Sequence, residues 1–246
     1  MQTDCLYVFD FDGVLCDSIR ECFVSSWYAY FHYHKGTDPG SVELDRKERF
    51  YRYRPYIRTG EDYVLLHDLI ERGREIRSQE EFDEEKRAAG PEFASRFRSL
   101  IYRTREEFLS NDREWWLSLN PLYPGLHGSL VRIAERPDTV ILSTKRPDLI
   151  AEILGAAGID WHGSRIHHSG ETGKLPFVSK LRAEVGAREA VFVDDQRDHL
   201  MHGSDPAVRC FLAVWGYVQP QWLSEPGPEL LSLRDFTAML DRLVPV

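Results

Sequence analysis

The chain has few cysteines, no long apolar run and no surplus of positive charge, and each shortage removes a class of function. Its cysteines, Cys5, Cys16, Cys22 and Cys210, lie in or beside apolar segments and form no CxxC pair, which argues against a disulfide scaffold or structural zinc. No apolar stretch approaches the roughly 18 residues that cross a bilayer. The opening MQTDCLYVF enters a strand pattern with no basic stretch before it, so a soluble, cytoplasmic protein without a membrane partner is expected. Lys and Arg total 31 against 40 Asp and Glu, a net charge of −9. A nucleic-acid partner is therefore not expected, because phosphate backbones call for clustered cations in excess. Internal repeats and low-complexity tracts are also missing. What is present is a chain of 246 residues, 42% apolar and 12% aromatic, enough for one large globular domain or two moderate ones.

Three short runs read as buried strands, each rich in β-branched or aromatic residues and each ending in polar ones: LYVFD (6–10), TVILST (139–144) and AVFVDD (190–195). CFLAVWGY (210–217) is similar but ends without a carboxylate. Between them lie helical patterns. RPDLIAEILGAAG (146–158) stops at a glycine, and PFVSKLRAEVG (176–186) opens with proline and stops at glycine. Strands alternating with helices predict βαβ units, a parallel sheet and an α/β fold.

The run VFDFDGVLCDS (8–18) ends a strand in two aspartates, Asp10 and Asp12, followed by Gly13. Two neighbouring carboxylates repel unless a metal, a cationic group or a shared proton compensates, and the glycine permits a positive φ or a close approach to a ligand. Alone, this pattern is either an Asx turn or a site. Ligands of parallel sheets bind at the carboxyl ends of strands, and there Asp10 and Asp12 are joined by Ser143 with Thr144 and by Asp194 with Asp195. Convergence of three segments on one sheet edge favours a site.

The residue types suit phosphate chemistry. Asp10 at the strand tip fits a nucleophile, and Asp12 a general acid and base. Asp194, from a separate strand, completes a hard oxygen site of the kind Mg²⁺ prefers, with Asp195 and Asp198 as further candidates. Ser143 offers a hydroxyl beside a helix N-terminus near Arg146 and Pro147, and Lys174, just before the helix expected from Pro176, can face the same edge.

Residues 18–120 differ in texture. They are charged, aromatic and helical in period with no convincing strand, which predicts an inserted helical domain. IRECFVSSWYAYFHYH (19–34) reads as one helix that is apolar around much of its girth, and residues 78–112 as an amphipathic helix broken or kinked near Gly90 and Pro91. NPLYPG (120–125) punctuates the return to the core.

With these motifs in order, the chain resembles the haloacid dehalogenase-like hydrolase superfamily. DFDGVLCDS matches the first motif, the hydroxyl in VILSTK the second, the lysine in GKLP the third and FVDDQRD the acidic fourth. PLYPG and VWGY are also similar to segments of its phosphoglycolate phosphatase-like branch. The resemblance implies a Rossmann-like three-layer α/β/α core with a parallel sheet, formed by 1–17 and 121–246, and an α-helical cap, 18–120, inserted after the first motif. It implies a Mg²⁺-dependent phosphatase acting on a small phosphorylated metabolite. Asp10 forms an aspartyl-phosphate, Asp12 protonates the leaving oxygen and then activates water, and Ser143 and Lys174 bind the phosphoryl group. The Asp10 side chain, the Asp12 carbonyl and Asp194 hold the metal. The dehalogenases of this superfamily lack an acid at the position of Asp12, so its presence favours phosphate esters.

Three points stay open. The fourth motif reads VDDQRD rather than the common GD form, so Asp194 is joined by Asp195 or by Asp198. Ser143 and Thr144 can exchange roles, and Lys180 is a fallback for Lys174. Two other functions fit the same residues: a phosphomutase acting on a sugar phosphate, and a non-catalytic module that binds a phosphorylated ligand. Other signals carry less. GETGK (170–174) lacks the first glycine of a P-loop and has Leu175 where that loop has a hydroxyl. His167 with His168, and His199 with His202, lack a third zinc ligand and read as solvated or hydrogen-bonded histidines. The basic, aromatic run at 45–62 reads first as a solvated helix face, with Arg54 or Arg58 as the alternative contact for an anionic substrate.

Overall fold

The computed structural model describes residues 4–41, 44–170 and 173–244. The chain divides into two compact units, Met1–Asp17 with Pro121–Val246, and Ser18–Asn120.

In the first unit, β1 (Cys5–Phe9), β2 (Thr139–Ser143), β3 (Ile166–His168), β4 (Glu189–Asp194), β5 (Val208–Ala213) and β6 (Glu229–Leu231) form one sheet in the order β3-β2-β1-β4-β5-β6. Every pairing is parallel. The chain steps outward from β1 to β3, then crosses to β4 and steps outward the other way. Strand order therefore reverses between β1 and β4, where a crevice opens at the carboxyl ends. Phe9 lies opposite Val193, and the Asp10 N–H donates to the Val193 carbonyl at 2.9 Å. The residues after these two strands leave the sheet side by side.

Ser18–Asn120 is helical throughout its named elements: α1 (Ile19–Tyr28), a π-helical turn at Ala29–Lys35, α2 (Leu44–Tyr53), a 3₁₀ turn at Arg54–Tyr56, α3 (Gly60–Glu71), α4 (Gln79–Ala89), α5 (Pro91–Asn111) and α6 (Arg113–Ser118). Its core gathers Phe23, Trp27, Tyr30, Phe50, Leu66, Phe82 and Phe97 among others. The single helix expected over 19–34 is two conformations in series, α-helix then π-helix. The break expected near Gly90 is present. Gly90, at φ 84°, ends α4, and Pro91 opens α5 where its missing N–H is not needed.

The first unit adds α7 (His127–Ile133), α8 (Pro147–Ala156), α9 (Lys174–Glu184), α10 (Arg197–Met201) and α11 (Leu233–Leu243). Strand residues alternate between faces. Leu6, Val8, Val140, Leu142, Ala190 and Phe192 pack with Leu175 and Val178 of α9 and Leu200 of α10. Phe9, one residue out of phase with Val8, meets Phe236 of α11 edge to face at 5.4 Å. Helices thus cover both faces, a Rossmann-like three-layer α/β/α arrangement. Two details differ from the sequence reading. β3 and β6, three residues each at the sheet edges, are too short to carry a period. Helix α9 opens at Lys174 rather than Pro176, with Gly173 preceding it at φ 78°. A proline is accommodated in the first turn, where its absent N–H leaves no helical bond unmade. No helix among the described residues is long and apolar enough to cross a membrane.

Candidate active site

Asp10 is the first residue beyond β1, and the chain folds back on itself directly after it. The N–H groups of Leu15 and Cys16 both donate to the Phe11 carbonyl at 2.9 Å, and the Gly13 N–H donates to the Cys16 carbonyl at 2.9 Å. Trp215 Nε1 anchors the turn by donating to the Val14 carbonyl at 3.1 Å. The Asp10 carboxylate accepts from the Phe11 N–H at 2.7 Å, which fixes its direction at the strand tip.

Asp194 ends β4 beside it, and Asp195 follows. Oxygens of Asp10, Asp194 and Asp195 lie within 4.8 Å of one another, and all three residues are buried, at 4%, 0% and 0% exposure. Lys174, at the start of α9, places Nζ 2.8 Å from both Asp10 Oδ2 and Asp194 Oδ2. Asp194 also accepts from the Gln196 N–H at 2.8 Å, and His199 Nδ1 lies 3.1 Å from its Oδ2. Asp195 Oδ2 accepts from the Tyr217 N–H at 2.7 Å. Glycines on two segments make room for Asp195: a Cβ on Gly13, whose φ is +86°, would lie 2.0 Å from Asp195 Oδ2, and one on Gly216 would lie 2.4 Å from Asp195 Cβ. The positive φ anticipated for Gly13 is present, and the close approach there is to the Asp195 side chain.

Electrostatics follow from this crowding. Burial pushes the Asp10 carboxyl up; Lys174 pulls it down, but Asp194 and Asp195 push further, and it ends well above the usual carboxylate range. Burial opposes the charge of Asp194 as well, yet Lys174 and His199 outweigh it and hold that carboxyl low. Burial works to lower Lys174, and its two carboxylate partners raise it instead. Hard oxygen donors that are close, buried and mutually repelling fit a divalent cation, which would relieve the repulsion that Lys174 offsets only in part.

The second strand end delivers Ser143, buried, and Thr144, half-buried. Ser143 Oγ accepts the Lys145 N–H at 3.2 Å, an arrangement in which its hydroxyl proton can point to an anion, and α8 begins four residues on at Pro147. Asp12 is half-buried, and its Oδ1 lies 2.8 Å from Lys145 Nζ. Of the sequence candidates, the structure gathers Asp10, Asp194, Asp195 and Lys174 most tightly. The side chains of Asp12 and Asp198 fall outside the group that could share one ion, and Lys180 is on the surface, paired with Glu184 at 3.7 Å.

Neither the family models nor the curated proteins include a match to this sequence. Solved structures do match it. A predicted phosphoglycolate phosphatase from Haemophilus somnus superposes with a TM-score of 0.63 at 18% identity, covering 99% of each chain. A haloacid dehalogenase-like family hydrolase from Streptococcus pneumoniae does so with a TM-score of 0.58 at 13% identity, covering 98% of this chain and 99% of the other. The chain has the haloacid dehalogenase-like fold. That fold also serves the protein tyrosine kinase A of Mycobacterium tuberculosis, which matches with a TM-score of 0.58 at 15% identity over 97% of this chain and 98% of its own. A haloacid dehalogenase-like fold therefore leaves the reaction to be argued from side chains.

Three parts of this site carried no assignment from sequence. Lys145 was visible as the residue after STK's hydroxyls, but nothing in the pattern distinguishes a buried lysine from a solvated one. His199 reads as an ordinary polar histidine until α10 turns it back onto Asp194. Tyr217 contributes through its backbone N–H, which leaves no mark on residue type.

Proposed function

We propose that the protein is a Mg²⁺-dependent phosphatase that hydrolyses a small-metabolite phosphate monoester through an aspartyl-phosphate, with residues 18–120 as a substrate-selecting cap. The observation that supports this reading is the placement of a strand-tip carboxylate, Asp10, against Lys174 and two further buried carboxylates at the β1/β4 switch point.

Asp10 Oδ attacks phosphorus, and the bond from phosphorus to the ester oxygen breaks as that oxygen takes a proton from Asp12. Asp12 then accepts a proton from water, the water oxygen bonds to phosphorus, and the bond to Asp10 breaks to release inorganic phosphate. Lys174 and the hydroxyls of Ser143 and Thr144 neutralise and orient the phosphoryl oxygens, where positioned donors are most effective. Asp10, Asp194 and Asp195 would hold Mg²⁺, the Asp12 carbonyl would be a further ligand, and Asp198 would orient the acidic loop. The ion supplies charge neutralisation that lets an anionic ester approach a carboxylate nucleophile.

The test is a panel of phosphate esters assayed for phosphate release with and without Mg²⁺. Turnover that needs Mg²⁺ and falls at least about a thousandfold in Asp10→Asn, as loss of a nucleophile demands, is the expected result. Retained turnover in that variant removes the nucleophile assignment. Conversion between sugar-phosphate isomers without phosphate release points to a mutase, and thermal stabilisation by an ester that is never turned over points to a binding module.

A further inference from the structure

Lys145 is buried at 3% exposure, one residue beyond Thr144. Its Nζ contacts Asp12 Oδ1 at 2.8 Å and sits 5.6 Å from the centre of the Phe11 ring. Its backbone N–H is tied to Ser143 Oγ at 3.2 Å, so both ends of the residue are fixed by groups of the site. A buried ammonium costs several kcal/mol of desolvation that an apolar side chain of similar length would avoid. The charge therefore has a use, and the geometry shows where it is applied. The two aspartates of the strand tip are held by different lysines: Asp10 by Lys174 from α9, Asp12 by Lys145 from the β2–α8 turn.

We propose that Lys145 is a positioning residue for Asp12, locking its carboxylate in the orientation from which it takes the proton of the attacking water. This rests on the phosphatase reading above. In that step water gives a proton to Asp12, its oxygen forms the new bond to phosphorus, and the bond from phosphorus to Asp10 breaks. Lys145 engages Oδ1, and Oδ2 is assigned to the proton. Asp12 carries one rotatable carboxylate on a short stem. Loss of the Lys145 contact widens the range of orientations open to that carboxylate, and misplacement of a reacting group by about 1 Å can lower a rate by about a hundredfold.

An aryl phosphate isolates the step, because a nitrophenolate leaves without needing a proton from Asp12. In a two-step reaction, slowing only the hydrolysis of the aspartyl-phosphate lowers kcat and KM together and leaves kcat/KM unchanged. Lys145→Met should therefore lower kcat on p-nitrophenyl phosphate by about 10- to 100-fold, within the range expected for a misplaced general base. The kcat/KM value should hold within about twofold, and phosphoenzyme should accumulate in acid-quenched samples. Asp12→Asn should give the same pattern, and Lys145→Arg should restore part of the turnover. Lys145→Gln, neutral but still a hydrogen-bond donor, is measured alongside as the variant to read if the Met protein does not fold. An unchanged kcat overturns the proposal, as does a fall in kcat/KM without accumulated phosphoenzyme, which would make Lys145 a binder of the ester. A wild-type protein inactive on every ester overturns the phosphatase reading and this role with it, whereas an active wild type confines the failure to Lys145.

Discussion

At the scale of single residues, the site depends as much on a missing side chain as on the charged ones. Gly13 follows Asp12, adopts φ +86° and faces Asp195 with no room for a methyl group. An alanine there is strained by its backbone and displaces the carboxylate that the Tyr217 N–H holds in place. Gly13→Ala should destabilise the protein by about 1–3 kcal/mol in urea unfolding, the usual penalty of a non-glycine residue forced to a strained φ. It should also weaken Mg²⁺ binding measured by calorimetry. Stability and Mg²⁺ affinity both equal to wild type would show that Asp195 can move aside without consequence. The aspartates and the glycine were legible in sequence because their spacing is local. What spacing could not decide was which carboxylate accompanies Asp194. That depends on Gly216 and Tyr217 arriving from beyond β5, a convergence that only the tertiary structure makes.

At the scale of elements, β1, β2 and β4 were read within a residue and the stretch at 210–217 runs past the end of β5 at Ala213 by four residues, whereas edge strands of three residues and the true start of α9 were not read. The difference is physical: a period needs several residues to show, and a first-turn proline marks a helix beginning without fixing which residue begins it. Helices α1 and α5 show a second limit. Glu21 and Arg105 are 84 residues apart, yet Arg105 Nε and Nη2 reach the two Glu21 oxygens at 2.8 and 2.9 Å. Both side chains are buried, and Ser25 Oγ adds a bond to Glu21 at 2.7 Å. Charged residues in amphipathic helices are ordinarily assigned to solvent, so this pair could not be picked out. Arg105→Met leaves a carboxylate buried without its cation and should cost about 3–5 kcal/mol. Pairing Arg105→Met with Glu21→Gln should recover much of that loss. The four unfolding free energies form a double-mutant cycle, and additive losses would mean that the two residues act independently.

At the scale of the whole molecule, the two units carry different chemical sensitivities. The helical unit buries His67 in an aromatic cage: Phe50 stacks on it at 5.0 Å, Phe23 meets its edge at 5.5 Å, and Ser26 Oγ lies 2.9 Å from Nε2. Burial, reinforced by the nearby Arg46 charge, pulls its pKa from 6.5 down to about 3. The native state thus refuses a proton that the unfolded chain binds below pH 6.5. Stability contributed by neutral His67 is complete above that pH and is lost as pH falls, at about 1.4 kcal/mol per pH unit within the window. Between pH 6.5 and 5, where ordinary carboxylates titrate little, the hydrogen-exchange protection factors across α1 and α3, corrected for the intrinsic pH dependence of exchange, should therefore fall. In His67→Phe, where Ser26 Oγ keeps its 2.6 Å bond to the Cys22 carbonyl, that dependence should flatten. Under the proposed function, the α/β unit should respond to Mg²⁺ instead. Saturating Mg²⁺ at about a hundred times its dissociation constant should add about 2.7 kcal/mol to whatever holds the Asp10, Asp194 and Asp195 cluster. Exchange should then slow across β1 and β4, and the effect should vanish in Asp195→Asn. The two perturbations should be separable along the sequence, acid acting on 18–120 and Mg²⁺ on 1–17 with 121–246. Uniform slowing by Mg²⁺ across all segments, or acid lability unchanged in His67→Phe, would show that stability is not apportioned between the units in this way.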